Sequence, residues 1–403
     1  MNSKRSIIII GGGLMQVPVT EAARGLGLIT LVMDKNPEAP AFSLADHILR
    51  ADISDLEAAV KAVESFAASH FVPNAVITAG TDFPTTSARI AERFHLPGLS
   101  METALRAKDK ILMRECFARS ACSQPRFIPI LSESDLGKIP DDFFPLVIKP
   151  ADSMGARGVR RVDHRPDLKA AYTEAAEYTP TGRVIVEDYI DGQELSIDAL
   201  VWKNEVMIRG VADRIIEMPP FFIETGHVLP SRLPTPVLEN AMNVFRQGIR
   251  ALGIDNGAAK ADIRVNAKGA FIGEIAARLS GGFMSGYTYP YATGVNLLAG
   301  AIRIALGEAP GDLSPKTHHT SFEKAILTRP GRVEEISGIE EAKKVPGIKN
   351  IFLSVAKGDM VQSPKNNVEK CGNIIAVGSD FEDARRSVEQ ALALIHLRTN
   401  PSV

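Results

Sequence analysis

Along the first hundred positions, short apolar runs alternate with stretches of helical period. The continuous runs at 7–10, 29–33 and 75–78 read as buried strands. Residues 18–26, 55–67 and 85–94 read as helices, with Leu56, Val60, Val63 and Ala67 on one stripe. A strand–helix order repeated in this way predicts a parallel, twisted sheet with helices on both faces.

Further on, the pattern changes. A helix is expected over 109–120, followed by short strands at 127–129, 146–149 and 159–162, a glycine-bearing loop at 152–158 and a helix over 167–178. Runs at 184–187, 194–202 and 206–212 read as antiparallel strands, and 236–252 as a long helix. Strands at 258–265 and 270–276 flank Asn266-Ala267-Lys268-Gly269, a hairpin turn sequence. The final segment carries strands at 323–327, 351–354 and 373–378. It closes with a helix in which Phe381, Ala384, Val388, Ala391, Leu392 and Ile395 keep helical spacing. No internal repeat is visible, and 310–314 is the best candidate linker.

With 403 residues, 45% apolar and 23% charged, the chain has globular proportions and room for two or three domains. Lysine plus arginine number 46 against 48 acids, a net charge of −2, which argues against nucleic acid or an anionic membrane as the main partner. Cys116, Cys122 and Cys371 form no CxxC and no disulfide framework, which suits a reducing cytoplasm. The apolar segment 296–306 is broken by Arg303 and is too short for a membrane helix. Lys4-Arg5 before the isoleucine run imitates the start of a signal peptide, but Gly11-Gly12-Gly13 interrupts it at once.

Those glycines follow a strand, and Asp34 ends the next one, as in a dinucleotide fold. The third fingerprint position is Gln16, however, so a bare strand-to-helix turn or a different small ligand is the better reading. More informative is 108–282. Lys149 ends the apolar strand of FPLVIKP, where a lone ammonium should meet an anion. Next comes Asp152-Ser153-Met154-Gly155-Ala156-Arg157-Gly158, whose backbone N–H groups could close over phosphate; by itself it would serve equally well as a hairpin. After the strand ending at Glu187, Glu194 could accept from ribose hydroxyls or could sit at a solvated hairpin end. Across the 258–276 hairpin, Asp262 and Glu274 can converge as oxygen ligands for Mg²⁺, with Arg278 nearby for a phosphate. The alternative there is a surface ladder of alternating charges, against which Ile272, Ile275 and Ala277 make the strand apolar.

Asp109-Lys110, FPLVIKP, the small-residue loop, VEDYIDGQELS and DIR…GEIAARLSGG, with metal carboxylates twelve positions apart, together resemble the ATP-grasp superfamily. GGGLMQVP, TAGTDFP and ETGHVLPSRLP resemble its L-amino-acid ligase and carboxylate–amine ligase branch, which is biotin carboxylase-like. The resemblance implies an α/β and α+β multidomain chain. A parallel pre-ATP-grasp domain is expected at 1–100 and an ATP-grasp domain at 101–310, divided into a lid-bearing part (101–185) and a metal-binding part (186–310). A small C-terminal α+β domain is expected at 311–403.

It further implies that Lys110 and Lys149, with Ser153, Gly155 and Gly158 of the loop, hold ATP phosphates. Glu187 and Ile190 would hold adenine, the latter through its backbone, and Glu194 the ribose. Asp262 and Glu274 would bind Mg²⁺, which Mn²⁺ can replace, and Arg278 would stabilise an acyl phosphate. His227 is a softer candidate, in a loop where a structural histidine is about as reasonable. Ala276 stands where many members carry a ligating Asn, so the number of Mg²⁺ ions is open.

The implied reaction joins a carboxylate, first activated as an acyl phosphate, to an amine and releases ADP and phosphate. The alternative is a carboxylase or purine-type ligase activating bicarbonate or formate. The implied partners are small-molecule carboxylates and amines, without nucleic acid or membrane, in an assembly that admits a homodimer.

Overall fold

The computed structural model describes residues 4–400. Four parallel strands open the chain: β1 (Ser6–Ile10), β2 (Ile29–Met33), β3 (His47–Leu49) and β4 (Ala75–Thr78), in the order β3-β2-β1-β4. Helices α1 (Val17–Gly25), α2 (Leu56–Ser69) and α3 (Pro84–Phe94) connect and follow them. Every isoleucine of β1 is fully buried, and alternate side chains enter opposite cores. Ile8 and Ile10 join Val60, Val63 and Ile90, whereas Ile7 and Ile9 join Val19 together with Leu297 and Ala301. Helices therefore cover both faces as expected, but one of them, Leu297–Ala305, arrives from two hundred positions downstream.

Helices α4 (Met101–Lys108) and α5 (Lys110–Arg119) lead to an antiparallel sheet. Its strands β5 (Phe127–Ile130), β6 (Leu146–Pro150), β7 (Arg160–Val162) and β8 (Val184–Asp188) lie in the order β5-β8-β6-β7. Helix α6 (Leu168–Glu177) packs on it. Strands β9 (Gln193–Trp202), β10 (Glu205–Glu217), β11 (Ile223–Leu229), β12 (Gly257–Asn266) and β13 (Gly269–Ala276) build a larger sheet backed by α7 (Thr235–Leu252). That sheet runs on through β14 (Thr320–Ile326), β16 (Ile348–Leu353) and β18 (Gly372–Gly378), in the order β13-β12-β9-β10-β11-β14-β18-β16. β15 (Gly331–Ser337), β17 (Met360–Val361) and β19 (His396–Asn400) make a small separate sheet. No helix among the described residues is long and apolar enough to cross a membrane.

Two expectations need correction. The segment carrying His227 is a strand, β11, not a loop, and β10 continues to Glu217 instead of stopping at Ala212. In β10, Asp213 and Arg214 break the apolar pattern, yet Asp213 is buried and Arg214 nearly so because each finds partners. Asp213 accepts from Ser231 and from the Arg232 backbone and side chain.

Gly248 is the point where α7 approaches β13 most tightly. A Cβ there would stand 2.4 Å from Ile275 Cδ1 and 2.8 Å from Ile272 Cδ1. Gly248→Leu should therefore overpack this interface and cost about 1–3 kcal/mol. Urea unfolding should show an earlier midpoint, and an unchanged midpoint would mean the helix has room to move.

Candidate active site

A cavity of ≈ 530 Å³ opens between the β5–β8 sheet and the larger sheet. Val147, Ile190, Phe222 and Phe271 supply apolar lining, and many charged side chains share the walls with them. Lys110 begins α5, where Asp109 caps the helix by accepting from the N–H groups of Ile111 and Leu112. That cap aims the Lys110 ammonium at the glycine loop: Nζ donates to the Ser153 carbonyl at 2.8 Å and lies 3.4 Å from Glu274 Oε1. Lys149 ends β6 with Nζ 2.8 Å from Glu187 Oε2. Its burial lowers the pKa, a tendency that the charge of Glu187 opposes.

Ser153 and Gly155 line the cavity, as does Arg157. Gly158 has a different task. Its φ is +68°, and a Cβ would lie 2.9 Å from Tyr178 Cδ2 and 3.1 Å from the Ala175 backbone, so it lets the loop pass α6. Glu187 lines the cavity too, but its carboxylate is taken. Arg114 Nε and Nη2 donate to its two oxygens at 2.8 and 3.0 Å. Burial alone would raise the Glu187 pKa; Arg114 and Lys149 instead bring it down to about 2. The Glu187 side chain thus serves the two cations first.

The metal candidates face one another, Asp262 on β12 opposite Glu274 on β13, beside a bulge in the register. Lys260 Nζ is 2.5 Å from Asp262 Oδ2, and Arg214 Nη1 is 2.6 Å from Oδ1. Even so, Oδ1 is buried without a properly aligned hydrogen bond. Two adjacent carboxylates, one with an unsatisfied oxygen, fit a hard divalent cation. Glu194 pairs with Arg214 and, at 2.8 Å, with Arg264. Arg278 lies past the end of β13, with Nε 2.9 Å from Asp82 Oδ1. Asp82 comes from the N-terminal domain's loop after β4, where Gly80 N–H also donates to the Leu279 carbonyl.

His227 is 1% exposed and belongs to the same site. Nδ1 lies 3.3 Å from Glu323 Oε2 and 3.7 Å from Glu224 Oε1, while Nε2 is 2.7 Å from Thr288 Oγ1. Burial would lower its pKa, but the two carboxylates outweigh burial and raise it to about 9. At neutral pH His227 is a fixed cation and not a general base.

Four functional residues escaped the sequence reading. Arg114 falls four positions after Lys110 on the same helix, a spacing that could have marked it. Arg214 binds Glu194, Glu224 and Asp262 together, and a buried charge in an apolar strand was its signal. Asp82 stood inside TAGTDFP without a role of its own, and Asp198 left no local signal. Asp198 accepts from Ser280 N and Oγ at 2.9 and 2.6 Å and so fixes the turn after Arg278; burial raises its pKa to about 6 despite these bonds.

Raised in the fold, the His227 pKa makes stability depend on pH. Its contribution is fully present below the unfolded value of 6.5 and is lost as pH rises through about 9. Denaturant titrations of the parent should show stability falling across that window, and His227→Gln should flatten the fall. An identical slope in both proteins would mean that the ring is not held as a cation.

With this geometry in view, the ATP-grasp domain model matches residues 142–286, and L-amino acid ligase C-terminal domain 2 matches residues 325–400. The uncharacterized protein y4rH of Sinorhizobium fredii is 24% identical over 393 residues, covering 94% of this chain and 80% of that one. Carnosine synthase 1 of Gallus gallus is 26% identical over 334 residues and 76% of this chain, which spans only 36% of that protein's length. Among solved structures, an L-amino acid ligase from Bacillus licheniformis superposes with a TM-score of 0.85 at 23% identity, covering 99% of this chain and 100% of that one. A phosphoribosylglycinamide synthetase from Anaerococcus prevotii gives 0.77 at 21% identity with the same coverage. At such identities these structures share the fold. The chain belongs to the ATP-grasp superfamily, with an ATP-grasp domain followed by the C-terminal domain of the L-amino acid ligase type.

Proposed function

We propose that this protein is an ATP-dependent, ADP-forming carboxylate–amine ligase acting on amino acids. The observation that carries the reading is the meeting, in one cavity, of Lys110, Lys149, Asp262, Glu274 and Arg278. These are two ammonium groups, two facing carboxylates and a guanidinium. No nucleophilic side chain is needed, because the work is to bring three anionic groups together and neutralise them.

Lys110 and Lys149 would hold the ATP phosphates, and the Ser153–Gly158 loop would cover them and exclude water. Ile190 would meet the adenine edge through its backbone, and Glu194 would accept from the ribose. Mg²⁺, held by Asp262 and Glu274, supplies charge neutralisation of the phosphate oxygens when bound. The substrate carboxylate attacks the γ-phosphorus, so that ADP leaves and an acyl phosphate forms. Arg278, braced by Asp82, would bind that acyl phosphate in bidentate fashion. An amine then displaces phosphate and gives the amide. His227, a cation between Glu224 and Glu323, would add positive charge beside the substrate, since both its N–H groups are already engaged by those acids and by Thr288. The relatives named above lend the amino-acid assignment: carnosine synthase and L-amino acid ligase are so named.

The decisive test is the product. MgATP with pooled amino acids should yield one ADP and one phosphate per amide, with hydroxylamine trapping a hydroxamate when no amine is present. AMP as the nucleotide product would refute the mechanism. ADP formed only with bicarbonate would move the enzyme to the carboxylase class. Glu274→Gln should keep the fold and slow ADP release by roughly 10² or more. Activity within a few-fold of the parent at saturating Mg²⁺ would make the pair structural.

A further inference from the structure

Six cations lining the cavity already have acidic partners: Lys110, Lys149, Arg214, Lys260, Arg264 and Arg278. Among the described residues, two cavity cations have no carboxylate in ion-pair reach: Arg157, which sits in the glycine loop over the phosphate side and donates to the Met154 carbonyl, and Lys370. Lys370 comes from the C-terminal domain, in the loop that leads into β18. Its Nζ donates to the Glu224 carbonyl at 3.0 Å. An ammonium carries three donors, so two remain for a ligand.

The loop holds Lys370 there by bonds of its own. Glu369 accepts from Lys365 N and from Asn366 Nδ2, both at 2.7 Å, and Asn366 Oδ1 accepts from Val368 N at 3.0 Å. At the apex, Asn367 N donates to the Gly155 carbonyl of the glycine loop at 3.0 Å, and Asn367 Oδ1 accepts from Glu224 N at 2.8 Å. The C-terminal domain is thus pinned to both the lid and the strand carrying Glu224 and His227. Lys370 is a pre-positioned positive charge on the Glu224 side of the cavity, separated from Asp262 by the Arg214 guanidinium that touches both acids.

Resting on the ligase reading above, we propose that Lys370 binds the carboxylate of the amine-donating substrate, the one that is not activated. An amino acid used as the amine carries such a carboxylate through the whole reaction. It needs a cation apart from the phosphate-binding set, because those cations are engaged with ATP and the acyl phosphate. A compact ammonium with free donors serves that need, and its fixed backbone anchor limits the entropy lost on binding. The C-terminal domain therefore selects amino acids over simple amines.

The test is a selectivity ratio. The parent is given MgATP and the twenty common amino acids, and the best amine donor is compared with its own carboxamide by kcat/KM. Lys370→Gln should lower the acid-to-amide ratio by about ten- to a hundredfold, as expected for a lost charged hydrogen bond. Most of that loss should appear in KM for the amino acid, and Lys370→Arg should retain most of the preference. Both substrates meet the same preparation, so the ratio is insensitive to how much of the variant is folded. A ratio within twofold of the parent would overturn the assignment, as would a rise in KM for MgATP with the ratio unchanged. A parent that releases no ADP with any amino acid would sink the ligase reading itself, and this assignment with it.

Discussion

The site hangs on one buried ion pair. Arg114 is the largest fully buried side chain among the described residues, and its guanidinium reaches two strands from α5. It grips both oxygens of Glu187 on β8 and donates to the carbonyls of Ile272 and Gly273 on β13, at 2.8 and 2.7 Å. Lys149 on β6 completes the arrangement through Glu187. Such a pair adds little net stability compared with well-packed apolar residues, because desolvation offsets the attraction. What it fixes is position. The lysine strand, the strand leading to Ile190 and the strand bearing Glu274 cannot shift independently while one guanidinium ties two of them and the carboxylate it grips holds the third.

Around this strut the cavity keeps its charges in balance before any nucleotide binds. Arg214 serves Glu194, Glu224 and Asp262 at once, and Lys260 adds a second cation to Asp262. Carboxylates suited to a divalent cation and a ribose are thereby matched by cations drawn onto them. On the proposed reading, MgATP brings both signs of charge, so its arrival would exchange partners without stranding a charge in low dielectric. Among the described residues, Asp262 Oδ1 is a buried lining oxygen left without an aligned hydrogen bond, and it belongs to one of the two proposed metal ligands.

The N-terminal domain contributes support more than chemistry. Gly12 N–H donates to Asp34 Oδ2 at 2.8 Å, and Asn36 N–H donates to Oδ1 at 2.9 Å. Gln16 Nε2 donates to the Ala79 carbonyl. The acid that a dinucleotide fold would turn to a ribose thus holds its own turn together, which favours the bare-turn reading of the three glycines. The domain reaches the site through Asp82, which orients Arg278.

Local pattern determined much of this protein. Strand and helix periods foretold the parallel sheet, the β12–β13 hairpin and α7, because burial on one face leaves its period in the chain. Motif order placed Lys110, Lys149, Asp262, Glu274 and Arg278 in one constellation, because phosphate and metal chemistry restrict residue type at close spacing. Residues that act across long separations were not legible. Arg114 meets a carboxylate 73 positions away, and Asp82 pairs with Arg278 across 196. Lys370 reaches the Glu224 carbonyl across 146 positions. A buried charge shows in the sequence only as an interruption of an apolar run, as Arg214 does in β10. Its partner is chosen by how sheets from distant segments stack, and that stacking exists only in three dimensions.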